Sequence, residues 1–360
     1  MGKKVTIQQI ADYLGVSKFV VSRALSGKSG VKEETKMKVL EAAKLLGYTF
    51  QGESILMNEF KDDSYIQNKS GQQNVLVVLP RTQFQDSIYW GKIIDGISTK
   101  LTELSLSMVI ITETDSFTSV INRQGLLGVI CVGNISTIML LEFKEWVIPV
   151  ILIDAEEPLF TTNTIFANNY DSSYLLTNYL IGLGHKNVTF LGSIRYSRSF
   201  YDRWLGYRSA LELKNINEHS IVPVNQTEME YEDMLFHIKT WIEKEIKEGN
   251  ELPTAFVCAN DSIALYVINQ LKDHGMNVPD DISVTGFDNI ENSYLTSPTL
   301  TTVHVPKEQM GKRAIKSLLN QMNSEKENPE KVQLTCETMI RESTAKPRRL
   351  FSSKISMQQP

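Results

Sequence analysis

Residues 6–27 read TIQQIADYLGVSKFVVSRALSG, and the spacing of their apolar side chains decides the architecture of the start of the chain. Ile7, Ile10, Ala11 and Leu14 follow the 0, 3, 4, 7 repeat that lines one face of a helix. Thr6 stands just ahead of them as a natural N-cap, since its hydroxyl can accept from a backbone N–H that a helix start leaves without a partner. Gly15 permits a sharp turn, Ser17 can cap a second helix, and Val20, Val21, Ala24 and Leu25 give that helix its apolar face before Gly27 stops it. A third periodic segment starts near Lys32 with Glu33 and Glu34 at the positive end of the helix dipole. It buries Val39, Ala42, Ala43 and Leu46 and ends at Gly47. Three short helices are expected.

The second helix has another side. Lys18, Phe19, Ser22 and Arg23 fall opposite its apolar stripe and are free to enter a groove. Lys18 and Arg23 can donate to guanine O6 and N7, Phe19 can press on a thymine methyl, and Ser22 can hold a phosphate. Charge agrees with this reading. Residues 1–50 hold nine Lys or Arg against four Asp or Glu, so the overall net charge of -5 leaves the remainder at -10. A basic head on an acidic body directs only the head toward a polyanion. The competing reading is a small three-helix domain with a solvated basic face.

From Asn74 onward, apolar runs alternate with amphipathic stretches. VLVVL (75–79), SMVIIT (107–112), GVICV (128–132) and the run at 149–154 predict the strands of a first half. NVTFLG (187–192), SIVPV (220–224), TAFVCA (254–259) and ISVTGF (282–287) predict those of a second, with crossover helices at 91–104, 171–183 and 262–275. This is the parallel, doubly wound α/β pattern, used twice. Ligands of such sheets bind beyond the carboxyl ends of the strands, so polar residues just after apolar runs are informative. Asp154, Asn260, Asp261, Asp288 and Asn289 stand there, as do Arg195, Arg198 and Arg203 after TFLG. Carboxylates and amides pair with hydroxyls, and arginine forks two donors at a planar acceptor. Tyr89, Trp90 and Trp204 could cover the C–H side of a sugar ring. Plainer roles exist: each Asp could cap a helix or form a turn, and Tyr89 and Trp90 could be core.

Composition narrows the classes. With 360 residues, 42% hydrophobic and 22% charged, the chain has room for two or more globular domains. No apolar run reaches the roughly 18 residues of a membrane span, and the first 25 residues do not read as a secretory signal, so a cytoplasmic protein without membrane contact is expected. Cys131, Cys258 and Cys336 are odd in number and far apart, which fits neither a disulfide framework nor a zinc site. A nucleophile elbow, a phosphate-binding glycine loop and a histidine cluster are all missing, so an enzyme is not expected, and neither metal nor cofactor is called for. A plain solute-binding module would not carry the first fifty residues.

The stretch at 6–27, followed by VKEETKMKVLEAAKLLGY, resembles the headpiece of the LacI/GalR family of transcription regulators. The resemblance implies that Lys18, Phe19 and Arg23 read the major groove while Thr6, Ser17 and Ser22 contact phosphate. It continues through YWGKIIDGI, IPVILID, DRWLGYRSAL, CANDSIAL, VPDDISVTGFDN and LTTVHVP, implying a two-lobed periplasmic-binding-protein-like domain. In that domain Arg203 and Asp288 would touch an effector, with Asn260, Asp154, Tyr89 and Trp90 lining its site and Arg195 adding positive charge. Relatives often have Asn-Pro where Ser87-Ile88 stands, which leaves the ligand class open between a sugar, a sugar acid and a phosphate. After Tyr48 the family's Ala-Arg-x-Leu hinge helix is replaced by Ser54, Ile55 and Met57. Met57 either wedges into the minor groove or packs on protein.

The expected organisation is therefore a helix-turn-helix headpiece at 1–50, a hinge and linker at 51–73, an effector-binding and dimerisation domain at 74–345, and a tail at 346–360. One headpiece reads too few base pairs for specificity, so a homodimer on a palindromic double-stranded DNA operator is expected. The tail lacks the leucine heptad of tetrameric relatives. The expected function is a repressor whose operator affinity is set by a small metabolite, a sugar or sugar derivative, between two lobes. The alternative is a metabolite sensor that acts through a protein partner.

Overall fold

The computed structural model describes residues 6–25, 31, 35, 38, 39, 42, 73–81, 83, 88–113, 123, 125–216, 230–323 and 328–348. Met57 and nearly all of the expected hinge and linker, most of the third expected helix, Gly27, Ser87, the expected strand at 220–224 and most of the tail lie outside them. The chain divides into two compact units, Met1–Ser70 and Gly71–Pro360.

In the first unit, α1 spans Ile7–Leu14 and α2 spans Lys18–Leu25. Thr6 opens α1 with a reciprocal capping box: its hydroxyl accepts from the Gln9 amide, and its own amide donates to Gln9 Oε1 at 2.9 Å. Gly15 closes α1 at φ +64°, a backbone conformation that glycine adopts without steric cost. The Val20 amide donates to Ser17 Oγ at 3.3 Å, so Ser17 caps α2 as expected. Ile10, Ala11, Val21, Ala24 and Leu25 form a core that Val39 and Ala42 join.

The second unit has two lobes. The first holds β1 (Asn74–Leu79), α3 (Trp90–Glu103), β2 (Ser107–Thr112), β3 (Leu126–Val132), α4 (Thr137–Glu145), β4 (Val150–Ile153) and β5 (Asn163–Ala167). The chain then enters the second lobe with α5 (Asn169–Leu183), β6 (Val188–Leu191), α6 (Arg198–Leu213), α7 (Tyr231–Glu248), β7 (Ala255–Cys258), α8 (Asp261–Asp273), β8 (Ser283–Thr285), α9 (Asn292–Leu295) and β9 (Thr302–His304). It returns to the first lobe for α10 (Lys307–Asn323) and β10 (Lys331–Leu334), and goes back for β11 (Glu337–Met339).

The first-lobe sheet is parallel throughout, in the order β10-β5-β4-β3-β1-β2. Sheets covered on both faces need continuous apolar strands, and Val75–Leu79 and Ile151–Ile153 are fully buried accordingly. Met139, Leu140 and Phe143 of α4 pack on Leu76, Val78, Val129 and Leu152. Elsewhere α3 and α10 cross backbone to backbone: a Cβ on Gly96 would meet the Glu308 carbonyl at 2.1 Å, and one on Gly311 the Ile93 carbonyl at 2.2 Å. The second lobe is built on the parallel sheet β6-β7-β8, with a core that includes Phe190, Tyr207, Met234, Phe256 and Val267. Here α5 and α6 approach closely at Gly206, where a Cβ would lie 2.2 Å from the Tyr170 carbonyl. The chain passes between the lobes three times, after β5, β9 and β10, each time through only a few residues.

Candidate functional site

On α2, Lys18 and Ser22 are exposed, Phe19 is 66% exposed, and Arg23 lies half-buried with its guanidinium 5.3 Å from the Phe19 ring centroid. The apolar stripe Val21, Ala24 and Leu25 takes up the other side. The expected reading face is therefore presented to solvent, and Arg23 is steered by Phe19. Thr6 and Ser17 cap helices at this surface while remaining exposed.

The second site gathers where strands end. Asp154 follows β4 and Asp288 follows β8, and both have left-handed backbones, at φ +56° and φ +108°. Neither caps a helix. Such conformations cost free energy in non-glycine residues and mark places where geometry is imposed by the surroundings. Arg203, on the first half of α6 and 3% exposed, is held on several sides. Its Nε donates to Asn169 Oδ1 at 2.8 Å, its Nη1 to the Ala259 carbonyl at 2.7 Å, and its Nη2 pairs with Asp288 Oδ1 at 3.1 Å. The Phe287 ring lies against its guanidinium at 3.8 Å. Asn169 also donates to Ser199 Oγ at 3.0 Å, and Ser199 donates to Asp154 Oδ1. Tyr89, the buried residue preceding α3, reaches Asp154 Oδ2 from the first lobe at 3.4 Å. One chain of polar contacts thus runs from Tyr89 and Asp154 of the first lobe through Ser199 and Asn169 to Arg203 and Asp288 of the second. Near it, Arg198 of the second lobe pairs with Glu156 of the first, which also receives Lys331.

Burial controls the ionisation of this cluster. It raises the Asp154 carboxyl, against the pull of Arg203 and of the hydrogen bonds from Ser199 and Tyr89. Asp261 is pushed up to about 8 by burial and then by the nearby Asp288 charge, although Thr302 and the Ile290 amide hydrogen-bond to it. Burial lowers Lys307, which Asp288 and Asp261 partly oppose. The Tyr89 phenol is raised well above its ordinary value, first by burial and then by Asp154.

Not every expected lining residue joins the cluster. Asn260 takes the plainer role of capping α8, accepting from the Ile263 amide at 2.9 Å, and its Oδ1 also receives the Tyr231 hydroxyl at 3.1 Å. Tyr231 in turn lies 5.6 Å from Tyr196. Trp90 sits edge-on to Tyr89, with ring centroids 4.8 Å apart. Trp204 packs on the second-lobe core under Arg208. Arg195 is exposed, and Arg198 is engaged by Glu156 and by Asp202. The reading from sequence overlooked Asn169, Ser199 and Lys307. Asn169 and Lys307 closely follow strand ends, so the rule that picked Asp154 and Asp288 could have found them, while Ser199 lies within α6, four positions before Arg203.

Among the described residues no helix is long and apolar enough to cross a membrane, and no group of three His, Cys, Asp or Glu could hold a metal. Cys131 and Cys258 are buried free thiols, and Cys336 is half-buried.

A helix-turn-helix ahead of a two-lobed α/β body with polar groups gathered at its strand ends defines a DNA-binding regulator with an effector-binding domain. The model of bacterial regulatory proteins of the lacI family matches residues 6–51, and that of the periplasmic binding protein-like domain matches 177–344. The two models match separate parts of the chain, and the first of them is that of the lacI family, which is made up of transcriptional regulators and not enzymes. The HTH-type transcriptional repressor PurR of Vibrio campbellii is 26% identical over 356 residues, covering 95% of this chain and 99% of that protein. Two solved structures share the fold: a transcriptional regulator CelR–cellobiose complex (TM-score 0.65, 21% identity, 94% of this chain and 100% of that one) and a lac repressor dimer bound to operator and the anti-inducer ONPF (TM-score 0.61, 22% identity, 95% and 100%).

Proposed function

We propose that this chain is a repressor that binds a palindromic operator as a homodimer through α2, and that a sugar or sugar derivative bound between the two lobes sets its operator affinity. The contact chain from Asp154 through Ser199 and Asn169 to Arg203 and Asp288 carries this reading, because it joins groups of both lobes that pair with hydroxyls. One of the fold relatives was solved with cellobiose, a ligand of that class. A ligand that enters this network exchanges its hydroxyls for the interlobe contacts and so favours one lobe arrangement over another. By linkage, whatever it does to operator affinity the operator does equally to ligand affinity. On α2, Lys18, Phe19 and Arg23 read bases, and Thr6, Ser17 and Ser22 stand beside phosphates, in a headpiece at 1–50 ahead of a body at 74–345.

The test is operator binding by the full chain with and without a panel of sugars and sugar derivatives, on wild type and Asp288→Ala. A ligand that shifts wild-type affinity and leaves Asp288→Ala unmoved, with its DNA binding retained, is the expected result. A fully responsive Asp288→Ala chain would remove this site from the mechanism.

A further inference from the structure

Lys307 is the first residue of α10, and a helix start gives no reason for an ammonium there. The unpaired N–H groups make that end electropositive, which disfavours a cation and favours an anion. The side chain is only 4% exposed. Its Nζ donates to the carbonyls of Asp288 and Val305 and lies 5.7 Å from the centroid of the Tyr89 ring. Two carbonyls occupy two of its three donors. Among the described residues no carboxylate lies within 4.0 Å of this nitrogen.

The nearby carboxylates are otherwise engaged. Asp288 pairs with Arg203 at 3.1 Å, and Asp261 takes hydrogen bonds from Thr302 and from the Ile290 amide at 2.8 Å. The other buried cation of the cluster, Arg203, has an ion partner in contact, whereas Lys307 touches only carbonyl dipoles and meets the charges of Asp288 and Asp261 at longer range. A charge taken out of water is costly without a counter-charge. Its position between Asp288 and Tyr89 sets it against the two lobes of the site just described.

We propose that the ligand carries an anionic group, a carboxylate or a phosphate, that Lys307 receives, while Asp154, Arg203 and Asp288 take its hydroxyls. This deepens the ligand-controlled reading above and rests on it for the location of the site. A neutral sugar leaves the ammonium without its counter-charge, so Lys307 selects the charged member of an otherwise matched pair.

Titration calorimetry on the full chain, without DNA, tests the selection with glucuronate against glucose, galacturonate against galactose, gluconate against sorbitol, and glucose 6-phosphate against glucose. At least one anion should bind about ten- to a hundred-fold more tightly than its neutral partner, and whether acid or phosphate ester wins names the group. Lys307→Met should erase that preference, and Lys307→Arg should keep it. Equal binding of the paired acid and sugar, an anion preference that survives Lys307→Met, or no binding by any anion of the panel would each overturn the proposal. If Lys307→Met does not fold, the wild-type comparison still decides. Operator binding is measured separately, so its failure would strike the repressor reading and leave the ligand assignment to stand or fall alone.

Discussion

The proposed reading face of α2 and the polar cluster around α6 are built on opposite terms. On α2, Lys18, Phe19, Ser22 and Arg23 lie within six positions of one another, three of them exposed, and the helix keeps their backbone in order. Around α6, Asp154, Arg203 and Asp288 come from far-apart parts of the chain, and Arg203 and Asp288 are 3% and 7% exposed. On the proposed function, the contrast follows from the targets. A polyanion is met by mobile, hydrated charges that give up counterions when they bind. A small ligand is distinguished by fixed donors and acceptors whose directions are set before it arrives. Changes on α2 should therefore alter DNA binding and spare the fold, while changes around α6 should cost stability as well as ligand response.

The largest expected effect is on the buried side of that contrast. Arg203→Met strands Asp288 and Asn169, and breaking a buried pair by removing one partner costs about 3–5 kcal/mol, read as a lower denaturant midpoint of the body. A loss below about 1 kcal/mol would mean the pair behaves like a surface one.

Next stands Asp261. Its folded carboxyl titrates at about 8, above the ordinary value for an unfolded chain, so the folded state binds the extra proton between roughly pH 4 and 8. Its contribution to stability is full below that window and falls as pH rises through it, on the order of a few kcal/mol. Unfolding curves of wild type and Asp261→Asn should draw apart over this range, with wild type losing ground toward pH 8. Parallel curves would contradict the assignment.

On the exposed side, Arg23→Ala should cost about 1–3 kcal/mol at the base pair it reads and relax specificity there. An equal loss on all DNA would make Arg23 a phosphate contact. The smallest effect is Thr6→Ala, which removes the hydroxyl half of the capping box and should lower the stability of the head by about 1 kcal/mol.

The same contrast explains what could be read from sequence. The repeat of Ile7, Ile10, Ala11 and Leu14 and the stripe of α2 are local, and both helices stand where their spacing put them. Buried parallel strands such as Val75–Leu79 announce themselves as apolar runs. Strand β5 escaped because Asn163 and Thr164 interrupt its apolar pattern, and β9, β10 and β11 are three or four residues each, too short for a period. They exist because the chain recrosses between lobes and pairs with distant partners, as Lys331 does with Thr164. At the site, Asp154, Arg203 and Asp288 were legible as polar residues near strand ends. Their joining through Ser199 and Asn169 was not, since it depends on bringing 154, 169, 199 and 288 together in space. Lys307 stood within reach of the strand-end rule, but what sets it apart, a buried ammonium with only carbonyls in contact, shows only in the fold.

The most direct test is selection of binding sites from random duplex DNA by the full chain at two salt concentrations. A palindromic site with steep salt dependence, lost in Arg23→Ala at one position of each half-site, is the predicted result. Recovery of no preferred sequence at either salt would contradict the account of this chain as a sequence-specific repressor.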